Sequence, residues 1–138
     1  MGLHAMTAER GATVVLERRG ETSESQSGLS PEQVTRVLRS LDGDHDVTMA
    51  ISGYGREGTI MVAVDGASVF LGLERPDGLF QFSSVRRDRM RSSRPFTIGG
   101  QEADIETQHL LDLDTASIVI DEWLTGRDAS AQGVWERR

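Results

Sequence analysis

Thr59-Ile-Met-Val-Ala-Val-Asp-Gly-Ala-Ser-Val-Phe-Leu-Gly-Leu73 decides the fold. Two short apolar runs, Thr59–Val64 and Ala67–Leu73, flank Asp65-Gly66, and both of these residues tolerate the positive φ that a two-residue hairpin demands. Working outward, Val47-Thr-Met-Ala-Ile51 precedes the hairpin, and Leu79-Phe-Gln-Phe82 follows it across the turn Arg75-Pro-Asp-Gly78. The spacing from Val47 to Phe82 is extended, which predicts an antiparallel meander.

On either side of the meander the period becomes helical. Ser30 stands as an N-cap before Pro31, Gln33 completes a capping box, and Val34, Val37, Leu38 and Leu41 follow at helical spacing until Asp42-Gly43. Asp112 or Asp114 caps a second helix, with Ala116, Val119, Ile120, Trp123 and Leu124 on one face and Gly126 as its stop. Ala12–Glu17 reads as a first strand, Pro95–Ile98 and Ala103–Glu106 as a late hairpin around Gly99-Gly100, and Gln132–Glu136 as a terminal strand. The expectation is an α+β fold in one domain, 1–138: an antiparallel meander of about five to seven strands with packed helices near 31–41 and 114–125. Segments 1–10 and 20–29 are expected to be flexible, and 83–94 to be an exposed arginine-rich loop.

Composition narrows the function. At 138 residues, 37% hydrophobic and 27% charged, the chain suits a single globular core, and no apolar run reaches the length of a membrane-spanning helix. Without cysteine there is no disulfide, thiolate metal site or cysteine nucleophile. The first residues lack the basic and apolar regions of a secretory signal, so a cytoplasmic location is expected. All 15 positive residues are arginine, which we read as the coding bias of a high-GC bacterium. Net charge is −7, although Arg86, Arg87, Arg89, Arg91 and Arg94 stand against Asp88 alone in one segment, leaving the remainder more acidic still. Such a surface repels nucleic acid and attracts basic partners.

Motifs that carry chemistry elsewhere fail here on context. Gly53-Tyr-Gly-Arg-Glu-Gly58 matches a dinucleotide fingerprint, but Thr59-Ile-Met-Val continues as a strand, so no helix N-terminus follows to hold a pyrophosphate. Asp42-Gly-Asp-His-Asp46 begins like a calcium loop, yet Val47 and Gly53 stand where that loop needs Gly and Glu. His4, His45 and His109 form no ligand pair, so no metal is expected. Ser83 or Ser84 with His109 and Asp112 supplies triad residue types without a nucleophile elbow. Asp104 and Glu106 share one side of a strand and read as its solvent face. The arginine run has no interleaved aromatic residue for base stacking, and Trp123 and Trp135 read as core.

Thr115-Ala-Ser-Ile-Val-Ile-Asp-Glu-Trp-Leu-Thr-Gly126 followed by Val134-Trp-Glu136 resembles the end of immunity protein family one, bacterial proteins that neutralise toxins of polymorphic toxin systems. Many of those toxins are nucleic-acid deaminases. The preceding order of short strand, capped helix and glycine-rich meander is similar to that family as well, whereas Arg127–Gln132 lacks its proline. The resemblance implies a cytoplasmic, non-catalytic antitoxin without cofactor that occupies the active-site face of its cognate toxin. The acidic balance agrees, because a basic substrate groove is complementary to it. The expected partner contacts are Tyr54 and Glu57 on the glycine-rich loop, Asp104 and Glu106 on the late hairpin, and Asp121 and Glu122 on the last helix.

Two other classes stay open in the sequence. A small-molecule or peptide-binding module requires an apolar cavity under the meander. An enzyme of novel arrangement requires a buried His45 or His109 beside a carboxylate. A homodimer through an exposed sheet face is also compatible with the sequence.

Overall fold

The computed structural model describes residues 11–84, 92–127 and 129–138, and their side chains except those of residues 22 and 23. Seven strands form one antiparallel sheet: β1 (Ala12–Arg18), β2 (Glu21–Leu29), β3 (Val47–Gly53), β4 (Arg56–Asp65), β5 (Ser68–Arg75), β6 (Gly78–Ser84) and β9 (Gly133–Arg137). Their spatial order is β2-β1-β3-β4-β5-β6-β9. A separate hairpin pairs β7 (Ser93–Ile98) with β8 (Gln101–Glu106), and the helices are α1 (Pro31–Arg39) and α2 (Leu113–Leu124). The fold is α+β, with the expected meander at its centre.

Strand alternation sends one set of side chains to the helices. Val14, Leu16, Met49, Ile51, Ile60, Val62, Leu71 and Phe82 are buried in one cluster with Val34 and Leu38 of α1 and Ala116, Val119, Ile120, Trp123 and Leu124 of α2. The register aligns this layer: Val14 faces Ile51, Met49 faces Val62, Val62 faces Leu71, and Phe82 faces Trp135. Both helix starts match their sequence signals. Ser30 accepts from the Gln33 N–H while Gln33 returns a bond to the Ser30 N–H, and Asp112 accepts from the Thr115 N–H at 2.7 Å.

Several sequence expectations shift. Residues 21–29, expected to be part of a loop, form β2, because an outer strand needs only backbone pairing with β1, and Glu21, Glu24, Ser25, Gln26 and Ser27 are exposed. Leu41 is buried although α1 stops at Arg39. Ser83 and Ser84 complete β6 and Ser93 and Arg94 open β7; 1–10 and the arginines at 86, 87, 89 and 91 lie outside the described residues. The β4–β5 turn centres on Gly66-Ala67, one residue later than expected, and Asp65 instead pairs with Ser68. Gly133 brings β9 so close to β6 that a Cβ there would collide with the Ser83 carbonyl.

Candidate functional site

Among the described residues the other face of the sheet carries no α-helix, only the short 3-10 turn Thr107–His109 beside β6. Register places Ala50, Met61, Gly72, Gln81 and Glu136 in one row across it, with Thr59, Glu74 and Leu79 in the next. Met61 and Leu79 on this face are 43% and 51% exposed, comparable with Ile118 and Val134 elsewhere. The β7–β8 hairpin lies over part of this face, and Phe96 and Ala63 are buried outside the main core cluster.

Between hairpin and sheet a cleft of about 580 Å³ remains. Met61, Phe70 and Leu79 give it an apolar floor, and Gly72 leaves room because a Cβ would meet only ordinary van der Waals neighbours. Glu74, Asp104 and Glu106 supply its carboxylates, and none has an ion-pair partner among the described residues. Arg138 enters from β9's end, its guanidinium 5.9 Å from the Phe70 ring centre.

Two acidic side chains hold the hairpin in place. Asp65 accepts the Thr97 N–H at 3.0 Å and lies 2.7 Å from His45 Nδ1 through its other oxygen; Asp46 accepts the Gly100 N–H at 3.2 Å. Burial raises the Asp65 carboxyl, but the His45 side chain, the backbone N–H groups of Thr97 and Asp46, and the His45 charge together outweigh it and hold Asp65 below its ordinary value. With Asp44 bonded to Arg18 at 3.1 Å, the side chains of Asp44, His45 and Asp46 in the calcium-like run are occupied in structural contacts.

His109 is 7% exposed at one end of the cleft. Its Nδ1 lies 3.3 Å from the Phe82 carbonyl, which can only accept, so Nδ1 carries the proton and Nε2 receives from the amide of Gln81 or Gln108. Asp112 is committed to the α2 cap, so Ser83, His109 and Asp112 are not assembled as a relay. His45 touches a carboxylate but is exposed, and among the described residues no three His, Asp or Glu side chains converge as a metal site.

The six anticipated contact residues fall into three separate pairs, two of them on opposite sides of the sheet and one at the β3–β4 turn. Asp104 and Glu106 are exposed at the cleft, while Asp121 and Glu122 belong to α2 on the helical side. Glu122 accepts from Ser130 Oγ at 2.6 Å and so ties down the segment before β9. Tyr54 and Glu57 lie near the β3–β4 turn, whose central residues Tyr54 and Gly55 have φ of 58° and 71°, a primed turn between two strands. Tyr54 packs half-buried against the core, and Glu57 is exposed beside Arg75 and Asp77. The neighbouring Arg56 stacks 5.1 Å from the Trp123 ring centre, which joins this turn to α2. Sequence reasoning missed Met61, Glu74 and Leu79; the alternation of β4, β5 and β6 marks them as a face, but not as an uncovered one.

Comparison with protein-family models, curated proteins and solved structures returned no match.

Proposed function

We propose that this chain is a non-catalytic immunity protein that binds a bacterial toxin in the cytoplasm and blocks it through an acidic surface. The observation that carries the reading is the group Glu74, Asp104 and Glu106, three carboxylates with no ion-pair partner among the described residues, around an exposed apolar floor. Three carboxylates against the single Arg138 guanidinium among the described residues of the cleft, beside apolar surface, suit a basic protein face, and an enzyme acting on nucleic acid carries such a face at its substrate groove. The C-terminal helix and tryptophan strand that resemble immunity protein family one supply the partner class. The ring nitrogens of His109 are engaged in holding β6 and the turn before α2, which favours binding over catalysis.

The test is to co-express the chain with the toxin domain encoded beside its gene. Restored growth and co-purification of the pair support the reading; unrelieved toxicity with no captured toxin overturns it.

A second reading, a small-molecule or peptide-binding module, is favoured by the size of the cleft, which falls within the range of ligand pockets. Thermal stabilisation by a small cationic amphiphile, without toxin capture, would select it.

A further inference from the structure

We infer that the outer edge of β8 captures an extended, basic segment of the partner protein as an added strand laid across the open sheet face. This rests on the immunity reading and names the element of the toxin that would be held.

The hydrogen-bond pattern of the hairpin identifies the free groups. Gly99 and Gly100, with φ of 59° and 81°, form a two-residue turn, and Ile98 pairs with Gln101 across it. In such a hairpin the flanking pair is hydrogen-bonded and the bonded pairs then alternate. Phe96–Ala103 and Arg94–Ile105 are therefore bonded pairs, while Thr97–Glu102, Pro95–Asp104 and Ser93–Glu106 turn their backbone groups outward. Two observations check this assignment: the outward Thr97 N–H is the one that reaches Asp65, and the bonded position beyond β8 shows Thr107 N–H donating to the Ser92 carbonyl.

The two edges of the hairpin differ. On β7, Pro95 has no N–H and that of Thr97 is spent on Asp65. On β8, the outward groups of Glu102, Asp104 and Glu106 belong to a strand that pairs only with β7 among the described residues. Ala103, Asp104, Ile105 and Glu106 all line the cleft. Alternation would let only every second residue do so if a face of β8 were turned to it, so the strand meets the cleft along its edge.

An exposed strand edge supplies backbone affinity, and its surroundings select the sequence. Here the incoming strand would set alternate apolar side chains on Met61, Phe70 and Leu79, and basic side chains on its other face beside Asp104 and Glu106, with Glu74 at the floor's margin. The occupant is thus a segment of alternating basic and apolar residues.

The probe is a blocked hexapeptide of alternating arginine and valine, compared with its glutamate–valine analogue and with a backbone N-methylated version. Calorimetry should show one saturable site for the first and at least roughly tenfold weaker binding for the others, the scale of one or two net hydrogen bonds. Amide NMR shifts should map to residues 61, 70, 79 and 102–106. Asp104→Pro removes an N–H that the hairpin does not use and should weaken binding beyond Asp104→Asn, which removes only charge. Gly72→Ile should weaken it by filling the floor. Equal binding of the N-methylated peptide, equal affinities of Asp104→Pro and Asp104→Asn, or shifts elsewhere would overturn the strand-addition site. If the neighbouring toxin domain is captured undiminished by Asp104→Pro, this inference falls and the immunity reading stands. If the peptide binds as described and the wild-type chain captures no toxin, the immunity reading falls and the edge site stands.

Discussion

Asp65 on β4 accepts the backbone N–H of Thr97 on β7 at 3.0 Å, and through this bond a hairpin without ladder pairing to the main sheet is fixed above it. Replacing Asp65 by Ala leaves a part-buried N–H without its acceptor, which costs about 1–3 kcal/mol. Urea unfolding should show that loss, and hydrogen exchange should quicken at β7 and β8 before it does at β3 and β4. Uniform exchange across both sheets would show that the bond does not hold the hairpin.

Acidification should weaken the same attachment. The folded carboxyl of Asp65 lies below its ordinary value of 3.8, so its contribution is complete above that value and is lost as pH falls through the lower, folded one. Unfolding midpoints measured from pH 6 down to pH 2 should therefore fall less steeply in Asp65→Asn than in the wild type. Parallel profiles would exclude Asp65 as a source of the acid sensitivity.

Trp123 is 1% exposed beneath the Arg56 guanidinium. Trp123→Ala should destabilise by about 3–5 kcal/mol through the cavity it leaves, and Arg56→Ala by about 0.5–2 kcal/mol through the lost stacking. Chemical denaturation of both, with the double variant, measures their coupling. Strict additivity would mean that the stacked geometry contributes nothing.

The acidic residues on the two sides of the sheet should behave differently. Asp104→Arg with Glu106→Arg should abolish toxin capture with little change in thermal midpoint, because both side chains are exposed and lack ion-pair partners among the described residues. Glu122→Arg should lower the midpoint by removing the Ser130 bond while capture persists. Surface plasmon resonance and a thermal melt separate the two; capture lost only with the α2 variants would move the interface to the helical side.

Local chemistry made most of the elements legible. Ser30-Pro31 and Gln33 announce α1, and the stripe from Ala116 to Leu124 defines the buried side of α2 because helical spacing and burial coincide there. β2 stayed hidden because Glu21–Leu29 has no apolar side to report, its place being set by backbone bonds to β1. The site was legible only in part. Asp104 and Glu106 show as a strand's polar side, but Glu74, Met61 and Leu79 join them through the fold of three strands and a hairpin. Asp65 was read for its turn and not for its carboxylate, whose partners His45 and Thr97 are distant in sequence.

Pro95 gives the hairpin a direction. A two-stranded ribbon with both edges open can recruit neighbours on either side and so seed an open-ended stack of chains. In this one, the missing donor of Pro95 and the engaged donor of Thr97 leave β7 with Ser93 alone as an outward donor, so recruitment would run through β8 and work against an open-ended stack of these chains.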